Sequence, residues 1–279
     1  MRAELQAIDE WTRPSAGDAP RPVSVHVPAG ARDWRMAAWT LASWLHFTEC
    51  GWEIVIHDDG TLTDEAAASL ARIFSTARII RRTEADATLL PVVGAFPFCE
   101  TFRADDPLAI KVLDTHYFST ADQFIVLSSD VLFFSYPHEI IGWADAPEDE
   151  CWFTEALEEA ALVTPVEARD ELDVKVWPRV GDGIWMISKS AFDLDFIDAA
   201  LARTSILHGS LEHAASTLAM LCAARSGRGG LLPARYEVSR HRSAAGDAVA
   251  RHYTGPARER YAPDGLARVA PHLLVPAES

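Results

Sequence analysis

The sequence predicts a single α/β domain with a mostly parallel central sheet and helices on both faces. Short apolar strands alternate with amphipathic helices from Val23 to Ile80, the pattern of a sheet covered on both sides. An apolar run from Phe124 to Leu127 stops at one carboxylate, Asp130, and hydrophobicity resumes at once with Val131. Strands end this way where α/β proteins present ligand contacts at the carboxyl edge of the sheet. The 279 residues, 49% hydrophobic and 24% charged, suffice for one large core and are unlike a disordered chain.

Element by element, Thr12 to Arg21 holds prolines, Ser15 and Gly17, and residues 1–21 are expected to form a flexible lead-in. Val23 to Val27 alternates as a first strand and is closed by Pro28-Ala29-Gly30. A helix follows over Arg32–Phe47, with Trp34, Ala37, Ala38, Leu41 and Leu45 at helical spacing. Trp52 to Ile56 reads as a second strand running into His57-Asp58-Asp59-Gly60, then a helix over Asp64–Phe74 and a short strand at Arg78–Ile80. Leu108 to Phe118 places Ile110, Leu113 and Tyr117 on one helical face, leaving Lys111 and Asp114 on the surface row. Beyond Asp130, a strand is expected at Gly183–Ile187, with helices near Lys189–Ala202 and Ser210–Ala224. The domain is expected over residues 22–262, with a C-terminal extension over 263–279.

Charge and motifs narrow the function. Lysine and arginine number 25 against 41 acids, a formal charge of −16, which argues against a nucleic-acid binder relying on phosphate neutralisation. Between Arg225 and Arg260, however, lie Arg228, Arg235, Arg240, Arg242, Arg251 and Arg258. They suit a compact anionic ligand such as a diphosphate and equally suit a plain solvated face. The acids from Asp145 to Glu159 read as an exposed stretch. No dinucleotide-type or P-loop glycine motif occurs. Cys50, Cys99, Cys151 and Cys222 show no metal-ligand spacing, and the first residues lack a signal peptide's apolar stretch. A cytoplasmic protein is the expectation.

Two segments carry the chemistry. Ser128-Ser129-Asp130 ends a strand, and His252-Tyr253-Thr254-Gly255-Pro256-Ala257-Arg258 supplies an imidazole, a glycine for close backbone approach and a cation. The first resembles the Asp-x-Asp signature of nucleotide-sugar glycosyltransferases of the GT-A fold, with Ser128 replacing the first acid. The second resembles the His-x-x-Gly-x-x-Lys motif of the glycogenin-like and bacterial galactosyltransferases of that fold, with Arg258 in the lysine position. The resemblance implies transfer of a sugar from a nucleoside diphosphate donor, UDP-linked, to an acceptor. It implies Asp130 and His252 as ligands of Mn²⁺, which imidazole favours over Mg²⁺. It further places Ser128, Ser129, Gly255 and Arg258 at the diphosphate.

Weaker matches extend the resemblance. Pro28, Ala29, Gly30, Asp58 and Asp59 fall where base and ribose are held, and Lys111 could reach the phosphates; Asp58-Asp59-Gly60 also reads as a tight turn. Val180 to Ile187 resembles the family's sugar-pocket strand Phe-Asn-Ala-Gly, with Gly181 for the asparagine and Asp182 for the alanine. Glu212-His213 resembles its Asp-Gln pair, although Ser210 and Glu212 also suit ordinary helix capping. Asp182, Glu212 and His213 are thus the catalytic candidates. Two alternatives stay open: diphosphate stabilisation by Arg258, Arg251 and Lys111 without metal, and a nucleotide-sugar binder without turnover.

Overall fold

A computed structural model describes residues 2–11, 23–145, 150–159, 161–177, 179–207, 211–238 and 247–274. The N-terminal residues do not stand apart from the domain. Helix α1 (Arg2–Gln6) and a 3₁₀ turn (Ala7–Glu10) bury Ile8 and Trp11 in the core, and the Trp39 indole donates to the Leu5 carbonyl at 3.2 Å. The proline-containing stretch Thr12–Arg21 lies outside the described residues.

Strand β1 (Val23–Ala29) leads to α2 (Trp34–Thr48), β2 (Glu53–Asp58), α3 (Asp64–Ile73), β3 (Arg78–Ile80), α4 (Arg82–Val93) and α5 (Pro97–Asp105). Helix α6 (Leu113–Phe118), β4 (Gln123–Leu127), β5 (Val131–Phe133), α7 (His138–Trp143), β6 (Cys151–Glu155) and α8 (Pro165–Leu172) follow. The remainder comprises β7 (Val180–Ser188), α9 (Leu194–Leu201), α10 (Thr204–Leu207), α11 (Leu211–Ser226), β8 (Gly229–Leu231), β9 (Tyr236–Val238), β10 (Ala250–His252) and α12 (Ala267–Leu273).

Seven strands form the central sheet in the order β3-β2-β1-β4-β7-β6-β8. All neighbours are parallel except those of β7, which runs against both β4 and β6. The predicted strand at Phe124–Leu127 is the middle of this sheet, buried on both faces, which is why it reads as an unbroken apolar run. One face packs on α2, α3 and α12 through Val25, Leu41 and Val269; the other packs on α5, α9 and α11 through Val126, Ile197 and Leu218. The acid-rich stretch around Cys151 is not wholly a surface loop, since Cys151–Glu155 is β6 with Cys151 and Phe153 fully buried. Residues 263–273 likewise pack on the core through Leu266, Val269 and Leu273.

Inside the sheet, His26 on β1 and His57 on β2 lie buried side by side, with Nδ1 of His26 and Nε2 of His57 2.8 Å apart. Ser24 Oγ hydrogen bonds the other nitrogen of His26 at 2.8 Å. Burial pulls both imidazoles below the usual histidine range, His57 to about 3. In the unfolded chain both rings take up protons near pH 6.5, whereas in the folded protein they do not, so stability is expected to drop as pH falls below about 6.5. Melting curves at about pH 7 and pH 5 check this; an unchanged melting temperature would mean that the rings are not held neutral.

Candidate active site

The topology brings four chain segments to one edge of the sheet. Strands β1 and β4 are parallel neighbours, so their carboxyl ends, Pro28-Ala29-Gly30 and Ser128-Ser129-Asp130, lie side by side. Strand β7 runs the other way, so its beginning meets the end of β4: Ser128 N–H donates to the Gly183 carbonyl at 2.9 Å. Strand β10 pairs with β5 just past Asp130, with His252 opposite Val131 and Tyr253 N–H donating to the Asp130 carbonyl at 3.0 Å. Together they enclose a cavity of about 480 Å³.

Asp130 is its hub. His252 Nε2 lies 2.9 Å from one carboxylate oxygen, and Arg258 Nε donates to the other at 2.8 Å. Burial opposes the charged carboxylate, yet His252 and Arg258 hold its pKa down at about 2. Burial likewise opposes the charged imidazole of His252, but the Asp130 and Asp182 carboxylates outweigh it and raise its pKa. Nδ1 of His252 has no hydrogen-bond partner and lies 3.5 Å from Asp182 Oδ1. Gly183 makes room for the ring, because a Cβ there would sit 2.9 Å from the imidazole.

Lys111 departs from the sequence reading. A 3₁₀ segment (Pro107–Lys111) precedes α6, so the continuous helix expected over Leu108–Phe118 breaks at Val112. The break turns Lys111 and Asp114 from the expected surface row into the interior, while Tyr117 faces outward. The Lys111 ammonium donates to Ser128 Oγ at 2.8 Å and to the Asp182 carbonyl at 2.5 Å. Ser128 in turn donates to that same carbonyl at 2.7 Å.

Twelve of the residues singled out from the sequence line this cavity: Pro28, Ala29, Gly30, Asp59, Lys111, Ser128, Ser129, Asp130, Asp182, His252, Gly255 and Arg258. Asp58 does not. Its carboxylate accepts from Gly60 and Leu62 N–H and pairs with Arg81, fixing the turn after β2. Among the described residues His213, at the start of α11, does not either; the Glu212 side chain, and Ser210 as the expected cap, lie outside the described residues. Arg251 points away from the cavity and binds Glu237, with Nε donating at 3.0 Å.

Asp33 was not foreseen. It stands at the head of α2, where an aspartate reads as a helix cap, but it does not cap. Its carboxylate instead accepts from Gly30 N–H and from Ser129 Oγ, both at 2.9 Å, joining the ends of β1 and β4. Burial raises its pKa against those two hydrogen bonds. At Gly30 a Cβ would fall 2.1 Å from Asp59, so the β1 and β2 loops touch through a glycine.

No protein-family model matches the sequence, and no curated protein matches it. Solved structures do. Mouse xyloside xylosyltransferase 1 superposes with a TM-score of 0.56 at 12% identity, over 85% of this chain and 97% of that one. The galactosyltransferase LgtC, solved with donor and acceptor sugar analogues, gives 0.55 at 13% identity over 91% and 98%. GlyE of Streptococcus pneumoniae TIGR4 gives 0.53 at 12% identity over 92% and 62%. The chain has the GT-A glycosyltransferase fold.

The resemblance of the two motifs implies a divalent cation held by Asp130 and His252, with Ser128 in the place of the signature's first acid. In this GT-A chain the donor set fits such an ion poorly. Both oxygens of Asp130 are engaged, one by a guanidinium. Ser128 brings no charge and carries an ammonium against its oxygen. Among the described residues no group of three histidine, cysteine or acidic side chains is placed to hold a metal. Unit charges 4 Å apart repel by about 4 kcal/mol at an effective dielectric near 20, and a divalent ion beside Lys111 doubles that.

Proposed function

We propose that this protein transfers a sugar from a nucleoside diphosphate donor to an acceptor at the cavity around Asp130. The observation that supports it is the meeting of Asp130, His252, Arg258 and Lys111 with the β1 and β2 loop ends in one cavity of a glycosyltransferase fold. UDP is the first nucleotide to test, because the resemblance of the His252–Arg258 segment implies it. The base and ribose would lie against Ala29, Gly30 and Asp59, where the β1 and β2 loops meet at the cavity. The diphosphate would face Lys111, Gly255 and Arg258.

In this reading the anomeric carbon–oxygen bond breaks with its electron pair passing to the diphosphate, and cations placed in advance stabilise that charge. The acceptor oxygen forms the new bond and gives up its proton, for which we assign Asp182, a partly exposed carboxylate on the cavity wall. One observation favours a second reading, a binder without turnover: the charges of Asp130, His252 and Arg258 already satisfy one another.

Thermal unfolding with UDP, GDP and their sugar conjugates tests the proposal. A ligand at 100 times its Kd stabilises by roughly 2.7 kcal/mol, a readily visible shift. Stabilisation by a nucleotide sugar, with release of free nucleoside diphosphate on incubation, is the expected outcome. Stabilisation without release would point to the binder, and the absence of any shift would remove the nucleotide reading.

A further inference from the structure

We propose that Lys111, seated on Ser128, takes the place of a divalent cation, so that the donor's diphosphate is held without a resident metal. The inference rests on the transferase reading and goes beyond it. An aspartate with a divalent ion carries one net positive charge. Serine with a lysine ammonium carries the same. The acid missing at 128 and the cation present at 111 are therefore one exchange, and the structure joins them by a hydrogen bond of 2.8 Å.

The ammonium is built into the site. Lys111 is 2% exposed, at the end of a 3₁₀ segment and not on a swinging surface stem. Burying a charge is costly unless partners hold it. Here Ser128 and the Asp182 carbonyl accept two of its three N–H groups, and the face of Trp185 lies 4.8 Å away, a favourable seat for a cation. The third N–H is left for a ligand in the cavity that Lys111 lines. Arg258, half-exposed and anchored through Nε on Asp130, with Nη2 3.9 Å from Asp33, lines the same cavity. Two cations thus line one cavity. Phosphate oxygens between them need no ion to bridge them.

Calorimetric titration with UDP and with inorganic pyrophosphate, each in EDTA and in Mn²⁺, tests this directly. The expected result is binding in EDTA within about threefold of that in Mn²⁺. Lys111→Met should weaken binding about tenfold or more, the usual cost of losing a hydrogen bond to a charged group, and Lys111→Arg should recover part of it. Binding that appears only with Mn²⁺ overturns the inference and leaves the transferase reading standing. So does a folded Lys111→Met protein with unchanged affinity. Absence of binding by either probe in both conditions takes down the transferase reading and the inference together. If Lys111→Met does not fold, the comparison of EDTA with Mn²⁺ on the unaltered protein decides alone.

Discussion

Asp130→Ala is expected to abolish donor turnover and to lower stability by about 3–5 kcal/mol, the usual result of removing one partner from a buried ion pair. Two groups lose their counter-charge at once, His252 and Arg258. Arg258 is half-exposed and can turn to water, but His252 is buried and cannot. With Asp130 gone, burial is opposed only by Asp182 and the imidazole pKa falls. Asp130→Asn separates the two effects. It keeps the volume, and is expected to lose about 100-fold in turnover with a smaller loss of stability. Urea unfolding and donor hydrolysis are the readouts. Turnover near the original level in either variant would remove Asp130 from the reaction. The pH dependence has a definite sign. Asp130, with its pKa held at about 2, adds stability above its unfolded value near 3.9 that is lost as pH falls through 2. His252, with a raised pKa, adds stability below about 6.5 that is lost as pH rises through the folded value.

Arg103→Ala should be equally damaging, although Arg103 does not line the cavity. Its guanidinium is 1% exposed and grips Asp114 with two parallel hydrogen bonds, Nε at 3.0 Å and Nη2 at 2.9 Å, while Nη1 reaches Asp86. Truncation leaves Asp114 buried and unpaired, a loss of about 3–5 kcal/mol. Arg103→Lys should recover little, because an ammonium cannot reproduce the forked geometry. Asp114 lies in the first turn of α6, one turn beyond Lys111. Loosening it should therefore also weaken diphosphate binding, without touching any residue of the cavity. Urea midpoints with an unchanged slope, together with UDP titration, check both parts. An Arg103→Ala protein as stable as the original would show that the pair is not held as described.

The central strands were legible because parallel interior strands are short apolar runs between turn residues. Val23 and Phe124 begin or fall within strands for that reason. Strands β8, β9 and β10, three residues each, are not read from the sequence. Strand β6 was hidden among acids. In the site, Asp130, His252, Gly255 and Arg258 were legible because each lies in a short local motif whose spacing is fixed by the chain itself. Lys111 was placed on the wrong face because the helical row assumed 3.6 residues per turn through Val112, where a 3₁₀ segment gives way to α6. Asp33 was invisible for a different reason. Its local position predicts a cap, and only the meeting of β1 with β4 supplies Gly30 and Ser129 as partners.

The pairing of Asp130 with Arg258 joins residues 128 positions apart in the chain. Synthesis proceeds from the N-terminus, and long-range closure comes late in folding. The residues of the sheet edge carrying Gly30 and Asp130 are therefore synthesised well before the segment that completes the cavity. A partly synthesised chain has an aspartate with neither of its counter-charges and no enclosed space for a diphosphate. On the proposed function, a donor would find this site only in finished molecules and would act by slowing their unfolding, a kinetic rather than instructive role.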